Sequence, residues 1–246
     1  MRLTAGWVAS ALLAASLTLV SPAAAGSAAA FNPLGFSEDG RYFAFEEFGV
    51  QDGSGFPFAS VYIIDVVDDR WAGAPVRVSI EDEAATVVDA RTQALAQAGP
   101  ALESRRLVAP ATTVALNGDG EPAGDGSTLS FGRPGYGLAG PQDVATLTIT
   151  TTLPAYGGPC VTEYGFDPPV GYRLVLDAPS GETVLHDDQT VPASRGCTVA
   201  YRIYGIFAPP DWGWTGAAPV AVLSVFTHGF EGPDRRFIAL PIKGYP

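Results

Sequence analysis

The sequence predicts a mostly β fold of antiparallel sheets, either propeller-like or a β-sandwich, with one amphipathic helix near residues 81–98. Three observations support this fold class. The 29 glycines and 21 prolines lie between apolar segments rather than in blocks, as expected for turns between many short strands. Several of those segments alternate apolar and polar residues with a period of two. A single segment has helical spacing instead.

The first 25 residues have the composition of a secretory signal peptide. Arg2 supplies the positive charge, residues 7–20 form a nearly unbroken apolar run, and an Ala-x-Ala site places cleavage near Ala25. The alternative is a transmembrane anchor, which needs an apolar run of about 20 residues. The run over residues 7–20 is shorter than that. We therefore expect a Sec-exported protein, secreted or periplasmic, with no transmembrane anchor after cleavage. Residues 26–246 are expected to form one mostly β domain.

Candidate strands follow one another along this domain. In residues 144–151 the threonines share one face while Ala145, Leu147 and Ile149 share the other. The segment Val220–Thr227 is apolar on both faces, which predicts a central strand. The candidate strands, in order, are residues 42–48, 61–67, 112–116, 144–151, 172–176, 199–207, 220–227 and 236–241.

One segment favours a helix. Residues 81–98 place alanine, valine and leucine at helical spacing. Ser79 with Asp82 resembles a capping box at the start, and Gly99-Pro100 is a stop signal at the end. The apolar stripe is narrow and alanine-rich, so we expect this helix to cover the edge or the end of a sheet.

Residues 117–127, with the sequence NGDGEPAGDGS, are the most loop-like stretch. They either divide the chain into an N-terminal part with the helix and a C-terminal all-β part, or form a long loop within one domain. Asn117, Asp119 and Glu121 alternate with glycines there and offer oxygen ligands for calcium. Because the frame of an EF-hand loop is absent, we interpret the stretch as a glycine-rich turn.

The chain has two cysteines, Cys160 and Cys197, both within the exported part. In an oxidising compartment an even pair predicts one disulfide. Closing that loop would stabilise the fold by about 4 kcal/mol. The alternative, a reactive thiol, lacks a nearby base or partner cysteine.

The formal net charge of −12 at pH 7 narrows the choice of partners. An acidic surface repels nucleic acid and anionic lipid, which excludes nucleic-acid binding. An acidic surface favours solubility, and the candidate partners are then a protein or a glycan.

Motifs for catalysis are absent, so we predict no catalytic residue, no cofactor and no metal site. The two histidines, His186 and His228, lie outside any metal-binding spacing, and no G-x-S-x-G elbow is present. Neighbouring residues on a strand point to opposite faces, so adjacent acids do not flank one bond. We interpret them as solubilising charges at turns, and the adjacent acidic pairs are Glu46-Glu47, Asp68-Asp69 and Asp187-Asp188.

Two tryptophans, Trp212 and Trp214, lie in a proline-rich loop. Exposed indoles there would stack on sugars or anchor a partner. The interpretation we favour is that they fold back over the sheet ends, because apolar loop residues often pack on cores.

Parts of the chain also resemble known families. Residues 36–45, with their Asp39-Gly40 turn, and residues 61–65 resemble one blade of a TolB-like β-propeller. The chain after the signal resembles a bacterial family of predicted secreted proteins of unknown function, a domain of unknown function, through residues 35–45, 52–57 and 226–239. This resemblance implies export and a shared fold, and it implies no activity.

Together these features favour an uncharacterised exported protein that acts as a non-catalytic binding or structural module of the bacterial cell envelope. One alternative is a secreted hydrolase with an unrecognised site, and another is a calcium-dependent carbohydrate or adhesion module. A deep pocket lined by acids and histidines would favour the hydrolase, whereas scattered side chains would exclude it. The residues concerned are Glu46, Glu47, His186 and His228.

Overall fold

The computed structural model describes residues 26–120, 125–135, 137, 139–153 and 158–245; the predicted signal peptide lies outside these residues. The strands, in chain order, are β1 (Ala30–Ser37), β2 (Tyr42–Val50), β3 (Pro57–Asp65), β4 (Arg70–Trp71), β5 (Val76–Ser79), β6 (Leu107–Ala109), β7 (Thr112–Leu116), β8 (Thr128–Arg133), β9 (Gln142–Thr152), β10 (Gly171–Ala178), β11 (Gly181–Asp187), β12 (Thr198–Ala208), β13 (Val220–Thr227) and β14 (Asp234–Pro241). The helices are α1 (Val87–Ser104), α2 (Gly158–Thr162) and α3 (Trp212–Thr215).

Within the described residues the strands form three antiparallel sheets. The helix-side sheet has the order β4-β3-β2-β1-β6, and β5 also pairs with β3. The central sheet has the order β14-β13-β12-β7, so that β14 and β7 are its edge strands. The distal sheet has the order β11-β10-β9-β8. The predicted mostly β, antiparallel class is therefore confirmed.

The sheets are stacked, with the central sheet apolar on both faces. Val220 and Val222 of β13 pack with aromatic residues of the helix-side sheet. Ala221 and Leu223 face the other way and pack with residues of the distal sheet, such as Leu174. A strand buried on both faces must be apolar throughout, which explains the run over Val220–Thr227. Of the two predicted arrangements, this stacking corresponds to the sandwich.

Helix α1 confirms the predicted helix, but its bounds are shifted. It begins after Thr86, whose side chain accepts from Asp89 N while the Asp89 carboxylate accepts from Thr86 N. The predicted capping box at Ser79 is wrong, because Ser79 belongs to β5. The predicted stop is also wrong, since the helix continues through Pro100 to Ser104.

The buried stripe of α1 covers the outer face of the helix-side sheet. Ala90, Ala94 and Ala98 are each fully or almost fully buried and pack against Ala59 and Val61 of β3. Small side chains at every fourth position let the helix lie close to the sheet. The helix therefore covers a sheet face, rather than the edge or the end that the narrow stripe predicts.

The segment that resembles a TolB-like blade forms β1, β2 and β3 of this sheet. Its turn closes where Gly40 N donates to Ser37 O at 2.9 Å, and Gly40 has the left-handed φ of +71° that glycine tolerates. The Ser37 hydroxyl donates to the Asp39 carboxylate at 2.6 Å and accepts from Tyr42 N at 2.8 Å. The sheet that contains it is one layer of a stack of sheets, so the resemblance to a propeller blade is not confirmed.

The disulfide joins Cys160 of α2 to Cys197, which directly precedes β12. It thereby links the segment before the β10–β11 hairpin to the central sheet. The two Cα atoms are 5.6 Å apart, an ordinary span for a disulfide.

Of the glycine-rich stretch 117–127, residues 121–124 lie outside the described part of the chain. Strand β7 precedes the stretch and pairs with β12, which follows it, in the central sheet. Residues from both sides of the stretch therefore share one sheet.

Candidate functional site

A cleft of about 1060 Å³ opens beside the edge strand β14. The central sheet ends at this strand, and side chains of both flanking sheets reach past it. Ser60 and Tyr62 of β3 line the cleft from the helix-side sheet, and Tyr172 and His186 line it from the distal sheet. The cleft exists because the middle layer is interrupted while the outer layers continue.

Glu47 is the buried acid of this cleft, with only 1% of its surface exposed. Its Oε1 accepts from the Tyr62 hydroxyl at 2.8 Å, and its Oε2 accepts from Phe237 N at 2.9 Å. Burial raises the pKa of the Glu47 carboxyl above its ordinary value, although these hydrogen bonds and the charges of Arg236 and Arg77 act in the opposite direction. Glu47 thus satisfies a backbone N–H of the edge strand.

Tyr62 shares the environment of this carboxylate. Burial first, and then the negative charge of Glu47, raise the pKa of the Tyr62 hydroxyl to about 12. The phenol therefore stays protonated at neutral pH and remains a hydrogen-bond donor to Glu47.

A second polar cluster surrounds Asp188, behind the distal wall of the cleft. The Asp188 carboxylate lies 2.7 Å from His186 Nε2 and 2.5 Å from Arg195 Nη1, and it accepts from Tyr172 N at 3.0 Å. Burial acts to raise the pKa of Asp188, but the hydrogen bonds from His186, Arg195 and Tyr172 outweigh it and hold that pKa below its ordinary value. This network fixes the Arg195 guanidinium in the cleft wall.

The cleft is basic in a chain that is acidic overall. Among its described lining residues, two carry a carboxylate, Glu47 and Asp69. Four arginines also line the cleft, in a protein whose formal net charge is −12. The arginines that line the cleft are Arg70, Arg77, Arg195 and Arg236.

These arginines differ in how far they are neutralised. Arg77 is exposed, forms no ion pair with any described residue, and places its guanidinium carbon 5.6 Å from the centre of the Tyr62 ring. Arg236 donates to the carbonyls of Ser27 and Arg235, and its nearest carboxylate oxygen, on Glu47, is 4.0 Å away. The positive charge of both side chains is therefore largely available to a ligand.

Aromatic surface adjoins the charged part of the cleft. Trp71 of β4 remains 44% exposed, and its ring centre lies 5.3 Å from that of Tyr62. A smaller depression of about 370 Å³ adjoins the cleft and is lined by Tyr164, Phe166 and His228. The His228 ring stacks on Phe166 at 4.2 Å.

A family model, described as a predicted secreted protein of unknown function (DUF2259), matches residues 44–243. The chain belongs to this family of predicted secreted proteins. No curated protein and no solved structure matches it. The match extends from within β2 to just after β14, so it includes every cleft residue named above.

In this secreted-family protein, two of the four acids and histidines singled out from the sequence meet in one cleft, namely Glu47 and His186. Glu46 lies on the opposite face of β2, where Arg91 of α1 binds it, with Nη2 2.5 Å from Oε1. His228 lies in the adjoining depression. The His186 ring stacks on Tyr172, with ring centres 4.5 Å apart.

The interpretation of the acidic pairs as solubilising charges at turns is wrong for three residues. Glu46 and Glu47 are buried within β2, and Asp188 is 9% exposed. Each is tolerated because donors from other elements satisfy its oxygens, as buried charges require. The cleft arginines had no distinguishing spacing in the sequence, although Arg235-Arg236 directly before the apolar run of β14 is a visible signal.

The calcium alternative depends on Asn117, Asp119 and Glu121. The Asn117 amide donates to the carbonyls of Thr128 and Ile203, and the Asp119 carboxylate forms an ion pair with Arg235. Glu121 lies outside the described residues. Within the described part of the chain, no group of three or more His, Cys, Asp or Glu side chains could hold a metal ion.

The two tryptophans of the proline-rich loop have different positions. Trp212 is buried in the core next to Tyr245, with ring centres 5.7 Å apart, as the favoured interpretation expects. Trp214 is exposed.

Among the described helices, none has the length and apolar character to cross a membrane.

Proposed function

We propose that this secreted-family protein is a non-catalytic binding module of the cell envelope, and that it binds an anionic ligand in the cleft beside β14. The observation that carries the proposal is Arg77, which is exposed within the cleft without a carboxylate partner among the described residues. A guanidinium presents a planar fork of donors that matches carboxylate, phosphate or sulfate groups.

The surroundings of Arg77 strengthen this proposal. Arg236 has its nearest carboxylate oxygen at the limit of an ion pair, and Arg195 is held rigidly by Asp188. Arg70 pairs with Asp68 and Arg195 pairs with Asp188. The unpaired positive charge of the cleft therefore lies mainly on Arg77 and Arg236. A cleft in which positive charge exceeds negative charge focuses a positive electrostatic potential. An acidic protein that concentrates positive charge at one place discriminates in favour of anions there.

The size of the cleft agrees with a ligand larger than an inorganic ion. Pockets for small molecules are typically about 300–1000 Å³, and this cleft reaches about 1060 Å³. Membership of a family of predicted secreted proteins supports an extracellular ligand, and the Cys160–Cys197 disulfide is consistent with an oxidising compartment.

Titration calorimetry with dextran sulfate, and with neutral dextran as reference, tests the proposal. We expect the sulfated polymer to bind and the neutral polymer not to bind. Binding should weaken as salt is raised from about 0.1 M to about 1 M, because the screening length falls from about 10 Å to about 3 Å. Arg77→Ala should weaken binding by about tenfold, the equivalent of one charge-assisted hydrogen bond.

Arg202→Ala is the matched control for Arg77→Ala. Arg202 is also exposed and also lies over an aromatic ring, 5.4 Å from the centre of Phe226, but it lies outside the cleft lining. Equal binding by the wild-type protein and Arg77→Ala, or an equal loss in both variants, would contradict an anion site at the cleft.

One observation favours a second candidate, the secreted hydrolase: Glu47 and His186 line the same cleft. A carboxyl with a raised pKa is suited to act as a general acid. Both Glu47 oxygens already accept hydrogen bonds from the protein, which supports a structural role instead. Release of reducing ends from acidic polysaccharides by the wild-type protein, lost in Glu47→Gln, would favour the hydrolase. Binding by the wild-type protein without any release of reducing ends favours the binding module.

A further inference from the structure

We infer that the ligand of this cleft is a linear acidic polysaccharide that extends from the cleft into the adjoining depression. This inference rests on the proposed function, because it names the class of ligand for the same site. Three features of the described residues carry it: the continuity of the two cavities, the position of the aromatic side chains, and the blocked backbone of the edge strand.

The cleft and the depression form one groove. The two cavities share four lining residues and therefore adjoin, and the shared residues are Ser194, Arg195, Thr227 and Arg236. We call the two cavities together the extended groove. Two adjoining cavities fit a chain of repeating units better than they fit one compact molecule.

Positive charge is distributed along the extended groove rather than collected at one point. Arg70 and Arg77 lie at the end formed by β4 and β5, while Arg195 and Arg236 lie where the cleft meets the depression. Arg70 pairs with Asp68 and Arg195 with Asp188, so Arg77 and Arg236 keep the most unpaired charge. Anionic groups repeated along a polymer would meet these two guanidinium groups in turn, and each contact would add to the affinity.

Aromatic surface is exposed at both ends of the groove. Trp71 lies at the β4 end, and at the opposite end Tyr164 is 61% exposed and Phe166 is 37% exposed. Flat aromatic faces pack against the C–H faces of sugar rings, and Tyr and Trp bind at surfaces that are partly apolar and partly wet. The groove thus has cationic side chains between two aromatic ends, a combination that suits a chain of acidic sugars.

An extended acidic peptide is the competing occupant, and it would bind by adding a strand to β14. Part of that edge is already used. Arg235 exchanges backbone hydrogen bonds with Ser27 and Ala29, and Phe237 N donates to Glu47. Pro241 has no N–H to donate. Among the residues of β14 whose backbone faces away from β13, Ala239 is therefore the one whose N–H and C=O could both pair with an added strand. Recognition through side chains therefore outweighs strand addition.

Binding of oligogalacturonates of increasing length to the whole exported chain tests this inference, with poly-L-glutamate as the peptide polyanion. We expect affinity to rise with oligomer length, and poly-L-glutamate of equal charge to bind at least about tenfold more weakly. Trp71→Ala should weaken the binding of short and long oligomers, whereas Tyr164→Ala should weaken only that of long ones. The matched controls are Trp214→Ala and Phe230→Ala, which replace exposed aromatic residues outside the groove.

The outcomes separate this inference from the proposed function. Affinity independent of length, or tighter binding of poly-L-glutamate than of oligogalacturonate, would overturn the inference while leaving an anion site at the cleft. Failure of dextran sulfate, oligogalacturonate and poly-L-glutamate alike to bind would overturn both. An equal loss in Tyr164→Ala and Phe230→Ala would exclude the depression from the site.

Discussion

At the scale of single residues, Glu46 and Glu47 show how strand geometry separates neighbours. Consecutive residues of a strand point to opposite faces. Glu46 therefore points toward α1 and accepts from Arg91 and from Asn32 Nδ2 at 2.8 Å. Glu47 points toward the central sheet and accepts from the neutral donors Tyr62 and Phe237 N. Two identical side chains thus become an ion-paired carboxylate and a carboxyl with a raised pKa.

The raised pKa of Glu47 predicts a pH dependence of stability. Its ordinary value is 4.5, so above that pH the native state holds a proton that the unfolded chain has released. This contribution to stability is complete below pH 4.5 and is lost as pH rises through the higher pKa of the folded state. Glu47→Gln should therefore show a smaller fall in the free energy of unfolding above that pH than the wild-type protein.

Urea denaturation at a series of pH values checks this expectation. Glu182→Gln, which changes an exposed glutamate of β11, is the control and should follow the wild-type curve. Parallel curves for the wild-type protein and Glu47→Gln would show that burial does not raise the pKa of Glu47.

At the scale of elements, helix α1 illustrates what a local pattern specifies and what it leaves open. The alanine stripe predicts a helix because spacing by four residues is a local property of the chain. Its start is ambiguous, since Ser79 with Asp82 and Thr86 with Asp89 both have the spacing of a capping box. Pairing of Ser79 with Phe58 in the sheet removes the first choice.

Arg91 couples this helix to β2, so its removal should destabilise the protein. Arg91→Ala leaves the fully buried Glu46 carboxylate with Asn32 as its remaining donor. We expect a loss of roughly 2–4 kcal/mol in the free energy of unfolding, somewhat reduced because the arginine is itself partly exposed. Urea denaturation of the variant measures this loss.

Two further variants complete this test. Arg202→Ala, with an exposed arginine outside the helix contact, should lose much less stability. The double variant Glu46→Leu/Arg91→Met should recover most of the loss, because an apolar pair of similar volume removes the unpaired charge. If Arg91→Ala were no less stable than Arg202→Ala, the ion pair would contribute nothing to the docking of α1.

At the scale of the whole molecule, the layers are helix α1, the helix-side sheet, the central sheet and the distal sheet. The chain enters the central sheet with β7, leaves it to form the distal sheet with β8–β11, and returns with β12–β14. The Cys160–Cys197 disulfide connects this excursion to the start of β12.

Removal of this disulfide should lower global stability. The bond closes a loop with a sequence separation of 37 residues. On the chain-entropy account Cys160→Ser/Cys197→Ser should lose about 4 kcal/mol of unfolding free energy. Urea denaturation measures the loss, and reduced, thiol-blocked wild-type protein should show the same decrease. Unchanged stability in either sample would show that the cross-link does not restrict the unfolded chain.

The strands that the sequence predicted are those with regular alternation or a long apolar run. Strands β7 and β13 have the predicted bounds. Strand β1 was not predicted, because Pro33 and Gly35 interrupt its pattern where the register shifts against β2. Strand β4 has only two residues, too few for a period to be visible. Alternation is detectable only where enough consecutive residues share one environment.

By itself, the sequence determined the β class, the apolar central strand β13 and the existence of α1, because these depend on residues that are neighbours in the chain. Only the tertiary structure decided where the cleft lies. Arg77, Arg195 and Arg236 come from distant parts of the chain, and they meet because the central sheet ends at β14 while the sheets on either side continue. Long-range strand order, which no local period encodes, therefore created the candidate site.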